Sequence, residues 1–297
     1  MIKYSKAVAK ALNDKSPIVA LESTIITHGL PRAKNLEVAL EVEQIVTEAG
    51  AIPATIAIID GLIHVGLERD QLTRLASDEN FLKSSIRDLA VISTQKKSAA
   101  TTVAATSHIA NLAGISLFAT GGLGGVHRDA WQSWDESADL LALANTPVLI
   151  VCSGAKSILD VSATLERLET LSVPVLGYKT NKFPGFYLTD SGFELEHRAD
   201  TAAEIAQIWR ARSDVATNNS ALIVANPVNN QMEKALHDEL LADGLARAKA
   251  DGVIGKAVTP FLLEYFHVNS KGESLRVNIE IIKANAALAA QIAVALK

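Results

Sequence analysis

The chain has 297 residues, of which 48% are hydrophobic and 21% charged, and its 28 basic against 33 acidic residues give a formal net charge of -5. That is apolar material for a large core, with no basic block to neutralise a row of phosphates, so a nucleic-acid polymer is excluded as the expected partner. The single cysteine, Cys152, cannot pair within the chain, which excludes a disulfide framework and suits a reducing compartment, here the cytoplasm.

The stretch MIKYSKAVAKALNDKSPIVALES has scattered charge and no uninterrupted apolar region before a small-residue cleavage pattern, so no secretion signal is expected. Compact apolar runs then recur, each followed by a stretch of helical period, and that alternation predicts an α/β layer architecture. The predicted strands are Pro17 to Leu21, Pro53 to Ile59, Ile115 to Ala119, Val148 to Cys152, Val173 to Gly177 and Ala221 to Ala225. Between them, KNLEVALEVEQIVTEAG has the spacing of a surface helix ending at Gly50, and KSILDVSATLERLETL that of a helix covering another sheet edge. The segment GYKTNKFPGFYLTDSGFELEHRAD carries five aromatics from Tyr178 to Phe193 without a helical period, and reads either as a packed loop or as a lid or interface arm. The late segment ANAALAAQIAVALK is too short for an ordinary membrane span and is expected to be a small-residue helix in a core or subunit interface. No repeat or linker divides the chain, so residues 1–297 are expected to form one domain.

Lys156 stands in VLIVCSGAKSILD, after an apolar run and a Ser-Gly-Ala turn. An amine held partly out of water at such a junction can attack a carbonyl-like carbon, although a lysine whose stem merely covers apolar surface has the same local pattern. Glu22, in VALESTIITHGLP, is a carboxylate at a strand end and suits general-acid work, helix capping or a local ion pair. His28 in the same loop can meet polar substrate atoms, but a lone histidine is no metal site.

Further along, TTVAAT has a helix start around Thr101 whose backbone amides can receive a compact phosphate, with Lys83 in FLKSSIRDLA as a second charge; a capped helix beside solvated lysines gives the same pattern. Neither the phosphate-loop sequence nor the GxGxxG fingerprint is present, so no nucleotide cofactor is expected. In FATGGLGGVHRDAWQSWDESADL the glycines permit close approach to a small ligand. Asp135 and Asp139, four residues apart, can share a helix face and ligate a hard divalent ion, or form a solvated acidic face.

The pieces VALESTIITHGLP, TTVAAT, TGGLGGVHR, SADL, CSGAKSILD, GVIGKAVTPFLL and SLRVNIEIIKANAALA, in this order over nearly the whole chain, closely resemble the pseudouridine-5'-phosphate glycosidase family. The resemblance implies a single α/β/α domain with a central mixed sheet, usually assembled as a homotrimer, and a divalent ion, typically manganese. It implies reversible cleavage of the carbon-carbon glycosidic bond of pseudouridine 5'-phosphate to uracil and ribose 5-phosphate. Within the matched motifs, Glu22 corresponds to the proton donor and Lys156 to the covalent nucleophile, which would form an imine. Lys83, Val103 and the stretch Ser137, Ala138 and Asp139 correspond to substrate-binding positions, as does His127 in the Gly-rich loop, and Asp135 corresponds to the metal ligand. The chain departs from the family pattern at Asp129, Ala130 and Trp131 after the His-Arg pair, and at Gln95, Lys96 and Lys97 before the Thr-Thr-Val segment. Contacts of Asn226, Thr259, His267 and Asn278 are left open.

Overall fold

All six apolar runs read as strands are strands, within one or two residues at each end, in a computed structural model describing residues 2–254 and 257–297. Gly255 and Lys256, inside the GVIGKAVTPFLL match, and the side chain of Thr259 lie outside that description. In chain order the strands are β1 (Ile2–Tyr4), β2 (Ile18–Leu21), β3 (Ile52–Ile59), β4 (Leu62–Val65), β5 (Leu82–Ser84), β6 (Ala99–Thr101), β7 (Leu117–Ala119), β8 (Leu149–Cys152), β9 (Val175–Tyr178), β10 (His197–Ala199) and β11 (Leu222–Ala225). The helices are α1 (Lys6–Asn13), α2 (Arg32–Glu48), α3 (Arg69–Ser77), α4 (Leu89–Thr94), α5 (Val103–Leu112), α6 (Ala130–Ser133), α7 (Ala138–Ala144), α8 (Val161–Thr170), α9 (Ala202–Asp214), α10 (Lys234–Ala250), α11 (Val258–Asn269) and α12 (Glu273–Ala295).

The sheet runs β1-β4-β3-β2-β7-β8-β11-β9-β10, parallel from β3 to β10, with β4 antiparallel to β3. A side branch adds β6 antiparallel to β3 and β5 parallel to β6, so the sheet is mixed, as expected. Side chains alternate between its two faces. Val19, Leu21, Leu149 and Val151 pack against α2, α9 and α12, whereas Ala20, Phe118, Ile150 and Cys152 pack against α1, α5, α7 and α8. The result is an α/β/α sandwich in which each fully buried Val, Leu or Ile stabilises by about 1.5–3 kcal/mol.

The expected surface helix is α2, which ends at Glu48; Gly50 turns the chain at φ 89°, and the Ala51 N–H returns to the Val46 carbonyl at 3.1 Å. The late apolar segment is the second half of the longer α12. Length and composition alone would let α12 cross a membrane, yet 61% of its apolar window is buried inside the fold, lying across β2, β7 and β8. The aromatic segment is a packed loop rather than a lid: Phe183, Phe186 and Tyr187 are buried and join a core with Leu240, Phe266 and Ile281.

Candidate active site

Four adjacent parallel strands, β2, β7, β8 and β11, each end in an apolar residue followed at once by a polar one: Glu22, Thr120, Ser153 and Asn226. All four are buried, in the crevice outside the carboxyl ends of a parallel sheet where α/β proteins place their ligands. The two Glu22 carboxylate oxygens each accept a hydroxyl hydrogen bond, Oε1 from Thr120 and Oε2 from Thr24. Asn285, fully buried on α12, donates from Nδ2 to the Thr120 carbonyl at 2.8 Å and accepts at Oδ1 from Asn226 Nδ2 at 2.9 Å. Ser153 Oγ donates to the Asn226 carbonyl at 2.8 Å. One side chain from α12 thus fixes the mouths of three strands.

Lys156 lies in an irregular turn fastened on both sides. Toward the Gly-rich loop, Leu123 N donates to the Gly154 carbonyl at 2.9 Å and Lys156 N to the Leu123 carbonyl at 3.1 Å. Arg128 Nε and Nη2 donate to the carbonyls of Ile158 and Ser157, each at 3.3 Å. On the opposite side Phe186 N donates to the Ser153 carbonyl at 3.0 Å. Gly154 has φ 75°, and a Cβ there would stand 2.0 Å from the Pro184 carbonyl oxygen, so the turn requires glycine. Lys156 itself is half-buried. The helix expected over KSILDVSATLERLETL begins only at Val161, where the Asp160 side chain caps it by accepting from Ala163 N at 2.9 Å. The nucleophile candidate therefore sits on a braced loop and not at a strand-to-helix junction.

Lys83 and Val103 arrive together because β5 pairs with β6, with Lys83 opposite Ala100, and β6 leads directly into α5. The Val103 side chain is buried in the core, so it can reach a ligand only through its backbone. Of the amides opening α5, Ala104 N donates to Asp139 Oδ1 at 3.0 Å and Ala105 N to the capping Thr102 hydroxyl at 3.4 Å, leaving Val103 N without a partner among the described residues. Asp139 Oδ2 accepts from Gly124 N at 2.9 Å, so this buried carboxylate ties α7 to α5 and the Gly-rich loop. A Cβ on Gly124 would lie 2.2 Å from Ser137 Oγ, which explains the small residue there. Ser137 is the α7 N-cap, accepting from Asp139 N at 3.2 Å, and Ala138 is exposed.

Asp135 and Asp139 do not share a helix face: α7 starts at Ala138, and Asp135 belongs to the preceding loop, which turns through left-handed Asp129 and Trp134. Asp135 faces His127, with Nδ1 to Oδ2 at 3.9 Å, and the backbone joins the same pair through His127 N to the Asp135 carbonyl at 3.0 Å.

These charges act on one another. Lys83 is exposed by surface area, yet neighbouring atoms desolvate its ammonium; that desolvation, then the charge of Lys156, pushes its pKa below the ordinary lysine value, with Asp139 and Glu22 opposing. Burial holds the His127 imidazole below its usual value despite Asp135, and Lys156 and Lys83 push the same way. Burial likewise lowers His28, helped by Lys83 and Arg32. Glu22, His28, Lys83, His127, Asp135, Asp139 and Lys156 thus lie near enough to act on one another's charge, and burial favours the uncharged form of both imidazoles.

Among the described residues no group of three or more His, Cys, Asp or Glu side chains is arranged to enclose a metal. With Asp139 committed to backbone amides, Asp135 is the available oxygen donor beside His127. A hard divalent ion that keeps most of its water shell suits one carboxylate; a dehydrated ion does not.

Sequence reasoning passed over Thr24, Thr120, Ser153 and Asn285. Thr120 and Ser153 carry the signal that picked out Glu22, a polar residue directly after an apolar strand run. Asn278 and Asn285, both buried and seven residues apart in α12, repeat on one face; Asn278 Nδ2 reaches the Gly29 carbonyl at 3.3 Å.

The family described as Indigoidine synthase A like protein matches residues 7–295. Pseudouridine-5'-phosphate glycosidase of Salinispora tropica is 56% identical over 296 residues, covering 99% of this chain and 91% of that protein. Among solved structures, the prealnumycin C-glycosynthase in complex with ribulose 5-phosphate aligns with a TM-score of 0.92 at 34% identity, covering 100% of this chain and 97% of that one. An indigoidine synthase A-like protein from Thermotoga maritima aligns at 0.89 with 33% identity, covering 99% and 96%.

Proposed function

This chain belongs to the indigoidine synthase A-like family, among its pseudouridine-5'-phosphate glycosidases, and from that membership and the site geometry we propose that it cleaves pseudouridine 5'-phosphate reversibly to uracil and ribose 5-phosphate through a covalent lysine adduct. The observation that carries this reading is the pairing of a buried, doubly hydrogen-bonded Glu22 with a braced, half-buried Lys156 at one set of strand ends. A carbon-carbon glycosidic bond has no leaving oxygen to protonate, so cleavage needs an electrophilic sugar carbon and an acid for the departing base carbon.

The Lys156 amine attacks C1' of the ribose, the bond from C1' to the ring oxygen breaks, and that oxygen takes the proton the nitrogen gives up, leaving a ring-opened secondary-amine adduct. The nitrogen lone pair then forms the C1'=N bond of an imine as the bond from C1' to the uracil carbon breaks, the electron pair of that bond passes to the base, and Glu22 delivers the proton that makes uracil. Water then adds to the imine carbon, releasing ribose 5-phosphate and the free lysine. Lys83 and the unpartnered Val103 amide hold the phosphate, with Ser137, Ala138 and Asp139 lining the substrate beside them and His127 covering the sugar. The sugar-phosphate-bound neighbour of the same fold supports a pentose 5-phosphate in this crevice.

A divalent ion, manganese by family expectation, would be held by Asp135 with water completing its shell, and its chemistry would be to orient water and polar substrate groups. We place the enzyme in the cytoplasm as a homotrimer; the buried free thiol of Cys152 suits a reducing compartment.

The test is product analysis with pseudouridine 5'-phosphate, followed by borohydride trapping and peptide mapping. Uracil and ribose 5-phosphate in equal amounts, with a ribose phosphate adduct on Lys156, are expected, and Lys156→Ala should fold without turning over. An adduct confined to another residue, or no uracil from the parent, overturns the reading.

A further inference from the structure

A glycine loses more freedom on folding than any other residue, so one that the fold does not need calls for another cause. The other described glycines are explained within the protein, by a backbone turn at positive φ or by a neighbour that a Cβ would crowd; Gly122, for example, would put its Cβ 2.6 Å from the Phe186 ring. Gly121 is the exception among the described residues. Its φ lies outside the left-handed region, and a Cβ there would meet nothing closer than 3.5 Å, which is ordinary contact distance.

The point where that Cβ would stand lies among the strand ends. Gly121 directly follows Thr120, whose hydroxyl holds Glu22 Oε1, and its carbonyl accepts from Ser153 N at 2.9 Å and from Asn285 Nδ2 at 3.3 Å. The peptide is thereby fixed between the strand that carries the acid and the strand that leads to the nucleophile. Around the point are Phe186 Cε2 at 3.5 Å, Asn278 Oδ1 at 3.8 Å and Ile25 Cδ1 at 3.9 Å. Two of these atoms are apolar. The third is the carboxamide oxygen of a side chain only 8% exposed, and it has no partner among the described residues, since Asn278 bonds Gly29 through Nδ2.

We propose that Gly121 is kept bare by the substrate and not by the fold: its backbone is the floor on which the planar base lies while Glu22 protonates it, with Ile25 and Phe186 at the sides and the Asn278 oxygen toward a ring N–H. The inference rests on the cleavage reading and makes Gly121 a specificity-determining position that acts by shape alone. The face of a planar ring packs against carbon at about 3.5–4.0 Å. A methyl group on Gly121 would therefore hold the base away from the acid by on the order of 1 Å, while leaving the lysine, the sugar and the phosphate contacts as they are.

Gly121→Ala, measured in three ways, separates this role from a structural one. Alanine at a compatible backbone position removes freedom from the unfolded chain, so the urea midpoint should equal or exceed the parental value. Borohydride should trap ribose 5-phosphate alone on Lys156 to the parental extent, because that adduct carries no base. The specificity constant for pseudouridine 5'-phosphate should fall roughly 100-fold, the effect of a misplacement on the order of 1 Å. A parental specificity constant overturns the inference, and so does a lowered urea midpoint, which would return Gly121 to the needs of the fold. Equal losses in trapping and in cleavage also overturn it, since the methyl group would then obstruct the sugar or the lysine and not the base. Each of those results leaves the cleavage reading standing; a parent that makes no uracil from pseudouridine 5'-phosphate removes both.

Discussion

Thr120→Val isolates what holds the candidate acid. Valine keeps the branched shape at a position with no exposed surface, and the backbone carbonyl that accepts from Asn285 is untouched, so the change is confined to the hydroxyl donated to Glu22 Oε1. A hydrogen bond to a charged group contributes about 1.5–3 kcal/mol. At about 1.4 kcal/mol per factor of ten, that corresponds to roughly 10- to 150-fold in the chemical step. Thr24 still holds the other oxygen, so the lower part of that range, about 10- to 30-fold, is expected for single-turnover uracil formation, with KM nearly unchanged. Because Thr120 works through Glu22, its penalty should shrink when measured in a Glu22→Gln background. Equal penalties in both backgrounds, or a parental rate in the single variant, would refute the positioning argument. A urea melt of the same variant checks that the sheet remains folded.

Lys83→Ala should weaken pseudouridine 5'-phosphate as a substrate far more than unphosphorylated pseudouridine, compared as specificity constants; equal penalties would remove the lysine from the phosphate site. Asp135→Ala should weaken manganese binding in a direct titration and blunt the recovery of activity after chelation, and parental metal affinity in that variant would reject Asp135 as the ligand. His237 is buried beside the stacked rings of Tyr187 and Phe266, with Nε2 unpartnered among the described residues, and burial lowers its pKa against the opposing Asp238. The unfolded chain therefore takes up this proton first, near the ordinary value of about 6.5, and the histidine's share of stability is complete above that pH and lost as pH falls. The urea midpoint of the parent should drop from about pH 7.5 to 5.5 more steeply than that of His237→Phe; parallel curves would show that this histidine takes up its proton equally in the folded and unfolded chain.

The apolar runs fixed most of the sheet in advance because a strand buried on both faces must be continuously hydrophobic, whatever it pairs with. The short strands β1, β4, β5, β6 and β10 were not legible. Leu62 and Leu82 are exposed, and three- or four-residue strands at a sheet margin owe their conformation to a neighbour's hydrogen bonds more than to their own pattern. Glu22 and Lys156 were visible locally, as a carboxylate after an apolar run and an amine after a small-residue turn, and the family motifs gave each a role. That Asp139 is a buried brace while the Asp135 carboxylate faces His127 could not be read from four-residue spacing, since the distinction depends on whether Ala104 and Gly124, far apart in sequence, present their amides to the same carboxylate. The sequence by itself determined which segments are buried and which polar residues interrupt them, because burial is a property of each residue's own chemistry. Only the tertiary structure decided which of those polar groups meet: Glu22 with Thr120, Asn226 with Asn285, and Thr55 with Glu43 are pairs made by strand order and register, and a hydrogen bond that acts over about 3 Å leaves no trace in the chain until the sheet has brought its ends together.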